Sequence, residues 1–115
     1  MFRFEELKIW KRGVEILDKI LDIADKLEKK RLYRFAEQMR GAGLSIVNNI
    51  AEGSGSDTRP EFRMFLGYSR RSIYEVVSML MIFNRRGYID LNENVTSELE
   101  ELSKMIMAFK KSLKA

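Results

Sequence analysis

Three groups of residues have types and spacings that could do chemistry. The first is Ala51-Glu52-Gly53-Ser54-Gly55-Ser56, a Gly-rich run placed before a predicted helix, as a phosphate-binding loop is. No Gly-Lys-Ser/Thr follows it and no strand precedes it, so a connector is expected instead. The second is a set of polar residues expected to be half-buried: Gln38, Ser45, Asn49, Glu52 and Glu75. Paired carboxylates inside a bundle can hold metal, but the di-iron pattern needs Glu-x-x-His. A magnesium site needs several acids clustered on facing helices, and helices 2 and 3 supply too few. Glu75 is expected to pair with an Arg, and Asn49 with backbone or a polar neighbour. The third group is cationic: Lys29, Lys30, Arg31, Arg34, Arg85 and Arg86, with only Glu28 and Asp90 as local acids. Clustered at one surface, such cations contact phosphate backbone with steep salt dependence. Tyr33 and Tyr88 are close enough in sequence to stack on unpaired bases.

Composition narrows the chemistry further. The 115 residues include no Cys and no His. Disulfides, iron–sulfur clusters and thiolate zinc sites are thereby excluded, as are Ser-His and Cys-His nucleophile systems. No catalytic residue, metal or cofactor is expected. The net charge is +4, from 21 Lys plus Arg against 17 Asp plus Glu, and like-signed copies in an oligomer would add. No apolar run approaches the roughly 18 residues of a membrane span, and the start lacks the apolar core of a signal peptide. A cytoplasmic protein without membrane contact is expected.

The elements that must position these groups are helical. Leu7, Trp10, Val14, Leu17, Leu21, Ala24 and Leu27 have helical spacing and predict helix 1 from about Glu5 to Glu28. Ile9, Ile16, Ile20 and Ile23 widen its apolar arc. Glu15 with Lys19, Asp22 with Lys26 and Asp25 with Lys29 are expected as i,i+4 pairs on its solvated side. Helix 2 is predicted from about Leu32 to Ala51, broken by Gly53-Ser54-Gly55-Ser56. Thr58-Arg59-Pro60-Glu61 reads as the capping box of helix 3, and Arg85-Arg86-Gly87 as its end. Asp90-Leu91-Asn92-Glu93 starts helix 4 with a further Asp-x-x-Glu capping pair. One Pro in the chain and short connections predict an all-α, up-down-up-down antiparallel four-helix bundle, one domain over residues 1–115.

Helix 3 carries more apolar surface than one core face needs. Met64, Tyr68, Arg71, Glu75 and Ile82 align away from its core stripe. With the wide arc of helix 1, they predict a homo-oligomer interface built from helices 1 and 3.

Several segments together resemble a known family. They are Phe4-Glu5-Glu6-Leu7-Lys8-Ile9-Trp10; Gln38 to Gly53, with its Asn-Ile-Ala-Glu-Gly motif; Glu61 to Leu66; Ser72-Ile73-Tyr74-Glu75; and Gly87-Tyr88-Ile89. The chain is similar over about residues 4–90 to the bacterial four-helix-bundle proteins related to the intervening-sequence protein of large-subunit ribosomal RNA. It departs from them at Gly41 and Gly43, where Arg and Ala are common, and at Val47, where Pro is frequent. A mid-helix Gly costs about 1 kcal/mol against Ala, so close packing of helix 2 is expected there. The resemblance implies rings, typically pentamers, and no enzymatic activity. A distant relative is the accessory protein of diversity-generating retroelements, which works with a reverse transcriptase and nucleic acid. The family motif residues Ser45, Asn49, Glu52, Ser72 and Glu75 are read as structural.

The expected function is a non-catalytic homo-oligomer, pentameric by resemblance, binding RNA or DNA through summed basic surface. A scaffold docking a reverse transcriptase or other protein partner is the alternative. A metal-dependent phosphate hydrolase is the third reading.

Overall fold

The computed structural model describes residues 1–91 and 93–114, with only the backbone described for Glu93. A 3-10 turn, Arg3–Glu6, precedes α1 (Lys8–Lys29), α2 (Tyr33–Ser54), α3 (Arg59–Arg85) and α4 (Glu93–Ser112). Among the described residues there are no strands.

Each helix touches two neighbours. The contacts run α1 to α2, α2 to α3, α3 to α4 and α4 back to α1. Along each pair the contacts advance on one helix as they retreat on the other. Arg40 meets Asp25 and Glu28, and Gly43 meets Leu17 and Ile20 further along. Ser69 reaches Ile46 while Gly53 lies against Phe62. Arg70 meets Ser103 while the Phe62 ring packs at a tilt against Phe109. Neighbours therefore run antiparallel, and the bundle measures 47 × 23 × 19 Å.

The core stripes meet at the centre. Ile16, Ile20, Leu27, Met39, Ile46, Ile50, Leu66, Ile73, Leu80, Leu99, Leu102 and Ile106 are fully buried. A buried Leu or Ile side chain contributes about 1.5–3 kcal/mol, so this set dominates stability. The wide arc of α1 is absorbed here. Its large apolar residues are buried or half-buried, because α2 and α4 both pack on it. The outward apolar face is thus on α3 and does not extend to α1.

Local signals differ from expectation in four places. The chain starts with a 3-10 turn, not a continuous helix, and Phe4 packs edge-on against Trp10. α2 runs through Gly53 and Ser54, both buried, before ending. A Cβ on Gly53 would lie 2.8 Å from both Phe62 and Phe65, so helix packing outweighs the breaker there. Two of the expected α1 charge pairs are redirected across helices: Lys19 pairs with Glu98 of α4, and Asp25 with Arg40 of α2. The Asp90-x-x-Glu93 capping pair lies outside the described residues. At α3, Thr58 Oγ1 does accept from the Glu61 amide at 3.3 Å.

Candidate nucleic-acid interface

α1 and α3 end at the same pole, and their endings have the same construction. After α1, the Arg31 amide donates to Glu28 and the Leu32 amide to Leu27. After α3, the Gly87 amide donates to Asn84 and the Tyr88 amide to Phe83. Both are Schellman-type ends, which need a left-handed residue to turn the chain. Gly87 supplies it at φ 73°, and Arg31 supplies it at φ 64°. Arg31 is the only non-glycine residue with positive φ among the described residues. Such a conformation costs an L-residue roughly 1–2 kcal/mol.

Lys30 ties the two ends together by donating to the Tyr88 carbonyl at 2.6 Å. That contact brings Lys29, Lys30, Arg31 and Arg34 onto one surface with Arg85 and Arg86. All six are exposed. Among the described residues none of the six forms an ion pair; the nearby Glu28 is taken by Arg40. Helix C-termini favour cations, which accounts for part of the cluster and not for six.

The two tyrosines of this pole are not equivalent. Tyr88 stacks on Phe35 at 5.9 Å between centroids, and the Arg86 guanidinium lies 5.8 Å from its ring. A hydrogen bond to the Tyr88 side chain pushes the Arg86 pKa up from its ordinary value. Tyr88 is therefore half-buried and packed against Phe35, Phe83 and Arg86, whereas the sequence suggested a ring free to stack on bases. Tyr33, 59% exposed, is the free aromatic surface here.

The motif polar residues join α2 to α3. Ser72 Oγ donates to Ser45 Oγ at 2.9 Å, and Asn49 Nδ2 donates to the Ser45 hydroxyl and carbonyl. Gln38, Glu52 and Glu75 are exposed, against the expectation of half-burial, so a carboxylate pair inside the bundle is not formed. Glu52 lies seven residues beyond Ser45, and Glu75 three residues beyond Ser72 in the opposite sense. At 1.5 Å per residue they sit about 15 Å apart along the bundle. Among the described residues no group of three or more acids, Cys or His is arranged to hold a metal ion. No helix among them is long and apolar enough to cross a membrane.

Met64, Tyr68, Arg71, Glu75 and Ile82 are all exposed on α3, with Arg71 5.9 Å from the Tyr68 ring. Sequence reasoning missed an apolar groove next to them, which Ile82 also lines. Tyr74, Val77 and Met81 line a groove of about 910 Å³ between α3 and α4. Their i, i+3, i+7 spacing is legible, but it lies next to the core stripe and merges with it on a helical wheel.

The model of a family described as 23S rRNA-intervening sequence protein matches residues 5–108. A solved structure also resembles the chain. It is a protein of unknown function from the S23 ribosomal protein family of Bacteroides thetaiotaomicron, 21% identical with a TM-score of 0.83. The match covers 90% of this chain and 98% of that one, and shows the fold. No curated protein matches.

Proposed function

The chain belongs to the 23S rRNA-intervening sequence protein family, and from that premise we propose a non-catalytic homo-oligomer, cytoplasmic and pentameric by family resemblance, that binds RNA or DNA backbone. The binding surface is the pole of Lys29, Lys30, Arg31, Arg34, Arg85 and Arg86. One observation carries the reading: six exposed cations gathered at one end with no ion pair among the described residues. Four cations elsewhere on the bundle, Arg12, Lys19, Arg40 and Lys104, have carboxylate partners, and what sets the pole apart is that six cations without one lie together. An unpaired cluster is the arrangement that releases counterions when phosphates replace them.

Exposed cations on flexible stems meet phosphates before bases, so the binding proposed is to backbone and sequence-tolerant. Tyr33 adds one stacking surface. The test is a salt titration of binding to mixed-sequence RNA and DNA. If all six contact duplex phosphate, the log–log slope is about −5. Alanine at all six positions should flatten it and abolish binding at low salt. Absence of low-salt binding by the unmodified assembly overturns the reading; an unchanged slope in the six-alanine variant moves the site elsewhere.

A further inference from the structure

Tyr33 opens α2 within the cationic pole, with Lys29, Lys30 and Arg31 before it and Arg34 after it. The backbone on either side is fixed. The Leu32 amide donates to the Leu27 carbonyl, and the Ala36 amide to the Leu32 carbonyl, both at 3.0 Å. Leu32 and Phe35 pack against the core, and the Phe35 and Phe83 ring centroids lie 5.0 Å apart. Tyr33 stands outside this packing and is 59% exposed. Among the described residues its side chain has no hydrogen bond, no ring partner and no guanidinium over its face. A tyrosine ring has two χ angles, so on a fixed backbone it loses little freedom when something covers it. The exposed Tyr68 and Tyr74 lie about 25 and 16 Å from Arg85 along α3, away from these cations.

A duplex cannot use this ring. Its bases are paired and stacked, and presenting one requires unstacking it. A duplex is also stiff over about 150 bp. It therefore crosses the end of a bundle 23 × 19 Å in section on a straight path, and meets fewer of the six cations than a chain that bends. A single strand follows the pole, brings phosphates to the cations in turn and offers a base to Tyr33.

We propose that the pole selects single-stranded nucleic acid over duplex, RNA and DNA alike, by stacking an unpaired base on Tyr33 while the surrounding cations hold the phosphates. This rests on the nucleic-acid reading above and names its substrate class. Every base has a π-face, so the selection is for unpaired bases and not for sequence.

The test measures binding of mixed-sequence RNA and DNA strands of about 12 nucleotides, and of the matching duplexes. The unmodified protein should bind the strands more tightly than the duplexes. Tyr33→Ala, with folding checked by circular dichroism, should weaken strand binding about 5- to 150-fold and leave duplex binding unchanged. Its salt slope should hold, since a stacked base releases no counterion, whereas Arg34→Ala should lower the slope on a strand by about 0.7. Tyr33→Trp should keep the preference, and its new indole emission should be quenched by a strand. The native Trp10 lies about 28 Å from the pole along α1, so the unmodified protein is the unquenched control. Four results overturn the stacking site and leave phosphate binding standing: duplex bound as tightly as strand, equal losses on both in Tyr33→Ala, a lower salt slope in that variant, or no quenching in Tyr33→Trp. A preference of more than about tenfold between RNA and DNA strands also overturns it, because a ring face does not sense the 2′-hydroxyl. Binding of neither strand nor duplex overturns the nucleic-acid reading itself, and separates the two failures.

Discussion

Arg31 occupies a left-handed position for which glycine is the better residue, at the centre of the cationic pole. Replacing it separates stability from binding. Arg31→Gly relieves roughly 1–2 kcal/mol of backbone strain. Glycine's greater freedom in the unfolded chain offsets about 0.5–1 kcal/mol of that gain. The net stabilisation should be about 0.5–1 kcal/mol. With a urea slope of about 1.5 kcal/mol per M, the midpoint rises by about 0.3–0.7 M. Nucleic-acid binding should weaken, and the salt slope should fall in magnitude by about 0.9 for one lost phosphate contact. Gly87→Arg is the mirror experiment. Its Cβ would meet nothing within 4 Å, so only backbone strain acts. It should lose about the same 0.5–1 kcal/mol while adding a cation to the pole. Equal midpoints for Arg31→Gly and the unmodified protein would refute the strain argument. An unchanged salt slope would refute the assignment of Arg31 to phosphate.

Other substitutions probe the packing that holds the pole in place. Gly41 and Gly43 should respond oppositely to alanine in urea unfolding. A Cβ at Gly41 meets nothing within 4 Å, so Gly41→Ala should stabilise by about 0.5–1 kcal/mol. A Cβ at Gly43 would lie 2.9 Å from Ile20 and 3.0 Å from Leu17, so Gly43→Ala should give no gain or a loss. Gly53→Ala should lose about 1–3 kcal/mol, since Phe62 and Phe65 both stand at 2.8 Å. Thr58→Ala removes the α3 cap and should lose about 1 kcal/mol, read as a lower thermal midpoint.

Helical periodicity alone located the four helices, because each stripe, such as Phe62, Leu66, Ile73, Val76 and Leu80, is buried where its spacing places it. What periodicity could not show was the choice among partners. Lys19 has an acid four residues away on its own helix, yet bonds Glu98 from α4. Arg40, which carried no expectation, gathers three carboxylates from two helices. The Gly53 region read as loop because Gly and Ser break isolated helices, whereas two Phe residues of α3 pack on it. The six pole cations were legible since loop order puts both connections at one end. The covering of Tyr88 by Phe35 and Arg86 was not, because it depends on rotamers at a turn.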